Sequence, residues 1–509
     1  MFITWHVGAL VWKGGIMKND VVVIGSGPSG LTAAYELSKN GLVVVVLEQD
    51  QEKVGGISRT VENKGFRFDI GGHRFFSKSK EIEDLWTELL GEDMLVRGRL
   101  SRIFYNGKFF DYPLKPMNAF VNLGPIETLM CIIDYGYAKL FPRKSSVSFE
   151  DWIVNNFGER LYRTFFKTYT EKVWGIPCNE ISADWAAQRI KGLSLGSAIR
   201  NAFHPQNGGD RSGLIKTLID KFRYPKLGPG MMWEAAAEKI QNNNGQVRMG
   251  EKVISIQHSD GLVKRVVTRF ESAENIYEAD HFISSMPLRS LVRNLKPAPP
   301  ERVLKAAEGL KYRDFITVAL IIDKSESFPD NWIYIHDPSV KVGRIQNFKN
   351  WSPYMVPNEA QTCLGLEYFC FEGDGLWNMS DNDLITLGTT ELHRIGLIDK
   401  DHVADGAVVR VPKAYPVYDD YYKDNVQIIA NYLKENLKNL QVVGRNGMHK
   451  YNNQDHAMMT GILAAKNIQG GSYDVWTVNS DAEYHEEVRE ERLVPSRFSD
   501  RQSPVGGGR

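Results

Sequence analysis

The hydrophobic positions of this chain follow three patterns, each pointing to a different element. Val21–Ile24 is apolar at every position, as expected of a strand covered on both faces. After a glycine turn comes a helix-like stretch, then a second apolar run within "GLVVVVLEQD". Residues 245–287 ("GQVRMGEKVISI" to "FISSMP") and "LQVVG" near 440 supply further strands of the same unit. By contrast, "SFEDWIVNNFGERLYRTFFKTYT" repeats its apolar residues at a 3.6-residue period, which predicts helices, with Asp151 suiting a helix start. The third pattern is the strand-rich stretch 301–425, in "FITVALIID", "NWIYIHD" and "TCLGLEYFCF". These patterns divide the chain into a discontinuous nucleotide-binding unit (17–115, 223–300 and 430–470), a helical cap (116–222) and a β-rich unit (301–429). Residues 1–16 read as a disordered extension and 471–509 as a frayed tail.

One helix needs separate mention. "VNLGPIETLMCIIDYGYAKLF" is apolar enough to touch a membrane, but Glu127 and Asp134 interrupt it and a basic polar face is missing. It is expected to be a buried helix of the cap. No run of about 18 apolar residues occurs, so no transmembrane segment is expected.

Composition narrows the function classes. Lysine plus arginine equals aspartate plus glutamate, 62 against 62, which leaves no global electrostatic case for nucleic acid. Four scattered cysteines, Cys131, Cys178, Cys363 and Cys370, lack zinc-site spacing, and no metal is expected. Reduced thiols fit a cytoplasmic protein.

The candidate chemistry begins at the first turn. Gly25, Gly27 and Gly30, with Pro28 and Ser29 between the last two, form G-x-G-x-x-G between a strand and a helix. The first glycine permits the turn, the second admits a pyrophosphate and the third lets helix and strand approach. Glu48, closing the second strand, is placed to accept ribose hydroxyls. Together these predict a dinucleotide site.

Two later segments decide between dinucleotides. "EKVGGISRT", with Gly55, Gly56, Ser58 and Arg59, resembles the second glycine-rich segment of FAD enzymes of the glutathione-reductase type. Gly71–Gly72–His73 is similar to the turn that passes the isoalloxazine ring in that superfamily. The closing stretch "VVGRNGMHKYNNQDHAMMTGIL" resembles the final flavin-binding motif of UDP-galactopyranose mutases, protoporphyrinogen oxidases and amine oxidases. Gly444, Arg445, Tyr451 and Asp455 fall on matching positions, while Asn453 and Gln454 stand where the mutase pattern has an acid and a methionine. The resemblance implies FAD as cofactor and an α/β fold: a Rossmann-like FAD-binding domain, a helical cap and a β-rich substrate domain. It further implies cofactor contacts from Val253 through backbone, and from Gln454, Asp455 and His456.

Three segments resemble the mutases in particular. "YTEKVWGIPCNEISADWAAQRI" implies Trp174 on the sugar and Arg189 on the nucleotide. "VGRIQNFKNWSPYM" implies Arg344 on a diphosphate near the flavin, and "GLEYFCFEGD" implies Tyr368 on the same group. Arg445 and Tyr451 complete the implied substrate set. The mutase resemblance implies a nucleotide-sugar substrate, reduced flavin N5 as nucleophile, His73 tuning the flavin edge and Arg344 as a catalytic contact. An electron donor such as NAD(P)H and an oligomer are compatible with it. The alternative implied by the wider superfamily is a two-electron oxidase or desaturase, for which Lys450 and Tyr451 are nominal candidates.

Overall fold

The computed structural model describes residues 17–144, 148–183, 221–325 and 327–479. Arg189, both chain ends and the second part of the helical region lie outside the described residues.

Two sheets carry the architecture. In the first, the parallel strands Gln246–Arg248, Val44–Leu47, Met17–Ile24, Ala273–Ser284 and Leu440–Val442 lie side by side. Val21–Val23 and Val44–Val46 are fully buried, which explains the absence of alternation: both faces are covered. An antiparallel meander, Lys252–Ser259, Leu262–Phe270 and Ala273–Ser284, extends this sheet. The helices Pro28–Lys39 and Gln454–Ile468 pack against each other beside it, so the first and last motifs of the chain meet. Their approach is close because Gly461 has no side chain: a Cβ there would lie 2.3 Å from the Ser29 carbonyl oxygen.

The second sheet has seven strands in the order Val403–Pro416, Tyr312–Ile322, Thr362–Cys370, Arg344–Asn347, Trp332–Ile335, Ser101–Tyr105 and Lys108–Asp111. The last two correct the domain reading. They fall within 17–115, yet they hydrogen-bond into this sheet, with Ser101–Tyr105 running parallel to Trp332–Ile335. A strand pair costs its unpaired edge wherever it sits, and here the open edge beside Trp332–Ile335 satisfies it. Thr362–Cys370 is buried at all nine positions because both faces are covered.

The helical region carries one irregularity, a π turn at Tyr162–Lys167 leading into the helix Thr168–Trp174. Two further expectations need correction. The helix Pro125–Leu140 is not buried: Ile126, Leu129 and Leu140 are largely exposed, while its carboxylates turn inward to Arg160. Residues 471–479 are not frayed either, since the Lys450 ammonium donates to the carbonyls of Trp476 (2.9 Å) and Val478 (2.6 Å).

Candidate active site

The nucleotide end is built by the glycine turn. Gly25 has φ +97°, and its N–H donates to the Leu47 carbonyl at 2.8 Å. A Cβ on Gly30 would sit 2.0 Å from the Gly25 carbonyl oxygen, whereas one on Gly27 would meet nothing within 4 Å. Only the second glycine therefore faces open space, beside the free N–H groups at the start of a helix whose first residue is Pro28. Glu48 is nearly buried and accepts from the Ser26 N–H (2.8 Å), the Ser26 hydroxyl (2.7 Å) and the Asp50 N–H (2.9 Å). The second glycine segment lies over the first: Gly55 N–H donates to the Ser26 carbonyl at 2.8 Å, and Gly56 approaches Gly27. Ser58 is buried behind it, and Arg59 pairs with Asp50 at the rim. Glu251 N–H donates to the Glu48 carbonyl, which brings the neighbourhood of Val253 to this end.

The closing loop docks on the same helix. A Cβ on Gly444 would lie 2.3 Å from the Ser29 hydroxyl oxygen, and the Gly444 N–H donates to Thr460 at 2.9 Å. The helix that follows is capped by Asn453, with the His456 ring accepting from the Asn453 N–H at 3.4 Å. Asp455 is buried at its first turn. Gln454 is buried too, and neither its amide N nor its amide O has a hydrogen-bond partner among the described residues.

The remaining site residues converge on one face of the second sheet. Tyr334, Arg344, Glu367 and Thr317 form a row across four strands, each opposite the next. Arg344 donates to Glu367 at 2.6 Å, and Gln346 donates to the other carboxylate oxygen at 2.7 Å. The turn Gly71–Gly72–His73 presses on this row. A Cβ on Gly72 would lie 2.8 Å from the Gln346 amide nitrogen, and one on Gly71 would lie 3.8 Å from both the Arg344 guanidinium and the His73 ring. Burial pushes the His73 imidazole down to about 3, and the Arg445 and Arg344 charges push the same way. His73 is therefore neutral at physiological pH. Tyr169 and Tyr415 lie near Arg344 and Glu367, and burial raises both phenols, so both remain O–H donors.

Arg445 lies over the rings of Tyr451 (4.7 Å) and Tyr415 (5.1 Å), which stack on each other at 5.6 Å. Its Nε donates to the Asn452 carbonyl at 3.0 Å. Trp174 is only 2% exposed and packs edge-on against Tyr451 and Tyr415. It forms part of the aromatic wall beside Arg445.

Tyr368 is a clear correction. Successive side chains of a strand point to opposite faces, so with Glu367 on the site face Tyr368 points away. It is fully buried in the apolar layer beneath the helix Asp381–Arg394 and donates to Glu391 at 3.0 Å. The sequence reading missed Glu367, Gln346, Tyr169, Tyr334 and Tyr415. For Gln346, Tyr334 and Glu367 the signal is present in alternation: once Arg344 is on the face, so are Gln346 on its own strand and its cross-strand neighbours, whereas Tyr169 on a helix and Tyr415 on a more distant strand carry no such signal.

This arrangement suits a long polar cofactor. Thr32 near the start of the first helix, the Gln454 amide at the start of the last and His73 Nδ1 at the turn are all buried without a hydrogen-bond partner among the described residues. Each such group costs about 1–3 kcal/mol unless something pairs it. Two helix N-termini, the Gly27 gap and these three groups are features that a bound cofactor would satisfy. A family model for flavin-containing amine oxidoreductases matches residues 28–469. The chain belongs to that family. FAD is its cofactor, and the protein is an FAD-dependent enzyme. Escherichia coli dTDP-fucopyranose mutase is 29% identical over 217 residues, 41% of this chain and 55% of that protein. Rat amine oxidase B is 27% identical over 305 residues, 57% of this chain and 54% of that protein. The chain thus spans about half the length of these curated relatives. Among solved structures, reduced UDP-galactopyranose mutase superposes with a TM-score of 0.76 at 22% identity, covering 91% of this chain and 98% of the other. That similarity establishes the fold of this flavoprotein. Among the described residues no group of His, Cys, Asp or Glu could hold a metal ion.

Proposed function

We propose that this flavoprotein is a mutase-like enzyme acting on a nucleotide-sugar, with interconversion of pyranose and furanose rings as the reaction type. The observation that carries the reading is the Tyr334–Arg344–Glu367 row beneath the Gly71–His73 turn. Arg344 is a permanently charged guanidinium held by one buried carboxylate, with Tyr169, Tyr334 and Tyr415 grouped around it. Such a set offers charge and directed O–H donors to a diphosphate. Glu367 aims the guanidinium from behind, and Gln346 fixes Glu367. Arg445 and the Tyr415–Tyr451 pair form the adjoining wall, and Trp174 keeps that wall rigid.

Bound FAD supplies the redox-active centre, which in its reduced form is also a nucleophile. The chain's own part is to hold the leaving diphosphate, orient the sugar and exclude water. His73, neutral and lacking a hydrogen-bond partner at Nδ1, adds no charge beside the cofactor turn. The similarity to a dTDP-fucopyranose mutase and to a probable UDP-galactopyranose mutase supports this reading. In this proposal Gly25, Gly27, Gly30, Glu48, Gly55, Gly56, Gly71, Gly72, Gly444 and Gln454 serve FAD.

The amine oxidase relatives support a second reading, oxidation of an amine or other carbon substrate. Three features disfavour it. Arg344 and Arg445 both bear on the pocket and repel a substrate ammonium. The stacked tyrosine pair already holds a cation, Arg445. Lys450, nominal for an oxidase, is drawn away by the carbonyls of Trp476 and Val478.

The test is ligand binding to the FAD-loaded protein, followed by the flavin spectrum. UDP- and dTDP-sugars are expected to bind and perturb the spectrum, while primary amines do not. Binding of amines with no response to any nucleotide-sugar would transfer the assignment to the oxidase reading.

A further inference from the structure

The helices Pro116–Leu123 and Pro125–Leu140 present an apolar surface that the substrate reading does not use. Ile126 is 78% exposed, Leu140 76%, Met117 73% and Val121 67%, with Leu129 and Ile133 more than half exposed. Scattered exposed hydrophobics are ordinary, but a contiguous face of this kind marks a contact surface.

Its polarity is reversed relative to a surface helix. The two helices contain two carboxylates, Glu127 and Asp134. Glu127 pairs with the Arg160 guanidinium at 2.8 Å, and Asp134 accepts from the Arg160 N–H at 2.8 Å. The acids thus anchor the hairpin to the neighbouring helices, and the apolar residues point outward. Lysines edge the hairpin: Lys139 lies at the flank and donates to Asn156 at 3.4 Å, exposed Lys115 pairs with Asp111 at 3.2 Å, and exposed Lys144 follows Pro125–Leu140.

We propose that this hairpin docks on an anionic lipid surface, lying in the headgroup–acyl boundary. Three considerations select lipid over a protein partner. Protein interfaces carry about one hydrogen bond per 100–200 Å². On Pro125–Leu140 the exposed side chains with polar atoms are Tyr137 and Lys139 alone. An apolar face whose own carboxylates are engaged by Arg160 and whose edges carry lysines complements anionic headgroups. Helices of 8 and 16 residues are too short to span a bilayer but long enough to lie in its interface, and no described helix is long and apolar enough to cross.

The test is flotation of the FAD-loaded full chain with vesicles of phosphatidylcholine alone or mixed with phosphatidylserine. The protein is expected to float with vesicles, more strongly with phosphatidylserine and less at high salt. The double variant Ile126→Asp, Ile133→Asp should bind about tenfold more weakly or worse. Lys139→Glu should weaken only the phosphatidylserine component. Retained FAD and unchanged circular dichroism show that the variants fold. Hydrogen exchange on the unaltered protein gives an independent readout, with vesicle-induced protection expected at 116–141. Absence of flotation with either vesicle overturns the proposal. So does protection confined to other segments, or a dimer that the double variant dissociates without changing lipid binding; that last outcome assigns the face to a second copy.

Discussion

At the scale of single residues, the site depends on which polar groups lack a partner among the described residues and which charge is held in place. Gln454 occupies the position where the mutase pattern has methionine, and its amide is buried without a protein partner. Gln454→Met should therefore leave folding intact but weaken FAD retention by about 1–3 kcal/mol, read by flavin release on dialysis. Unchanged retention would show that the amide does not face the cofactor. Arg344→Lys keeps the charge facing Glu367 but loses the planar fork, so nucleotide-sugar affinity should fall about tenfold or more with FAD retained. Arg344→Ala also loses binding, but it strands a buried carboxylate at a stability cost of about 3–5 kcal/mol, so the lysine variant is the cleaner probe. His73 should show no titration between pH 5 and 8 in its ring proton resonances, because burial and two guanidinium groups hold it near 3. A midpoint near 6.5 would mean that those charges do not bear on the ring. The motif glycines were legible in the sequence because backbone constraint leaves a fixed spacing. The Tyr368 expectation failed because a Glu-Tyr pair on a strand gives one residue to each face, and the sequence alone does not say which.

Elements decide where those residues stand. The strand–turn–helix at the N-terminus was readable because its three glycines do separate jobs, and the structure separates them. Gly30→Ala places a Cβ 2.0 Å from the Gly25 carbonyl oxygen, so it should cost about 1–3 kcal/mol of stability as overpacking. Gly27→Ala meets nothing within 4 Å and keeps an extended backbone, so its thermal midpoint should stay near that of the parent. Its FAD loading should nevertheless fall, because the methyl enters the room beside the helix N-terminus. Equal loss of stability in both variants would contradict this division. The second sheet was less legible. Ser101–Tyr105 pairs with a strand more than 200 positions away and carries its hairpin partner Lys108–Asp111 with it, and nothing local to them announces it. The exposed hairpin was misread for a related reason: apolar composition shows that a face must be covered, not what covers it.

Over the whole molecule, three buried imidazoles set the response to acid. His73 and His336 are pushed down to about 3 and His449 to about 4, chiefly by burial. Each binds its proton more weakly folded than unfolded, so folding stability rises with pH between those values and about 6.5. Asp69 acts oppositely: burial raises its carboxyl to about 8, so its contribution is full below about pH 4 and lost as pH rises through 8. Between pH 4 and 6.5 the three histidines outnumber the one aspartate, and stability is expected to fall on acidification through that window. Denaturant midpoints across the window check this, and replacing His336 by Gln should flatten the slope. At the same scale the two sheets meet where the Gly71–His73 turn of the cofactor unit presses on Arg344 and Gln346, so cofactor and substrate contacts are joined by packing. In the function proposed above, this junction grips a nucleotide-sugar diphosphate over reduced FAD. The most direct measurement is anaerobic incubation of the dithionite-reduced holoprotein with UDP- and dTDP-sugars, with product analysis, beside oxygen uptake by the oxidised protein. Ring isomerisation that requires reduced flavin, without net oxidation of the sugar, is the predicted result; peroxide formation from an amine or other carbon substrate, with no isomerisation, would contradict the account.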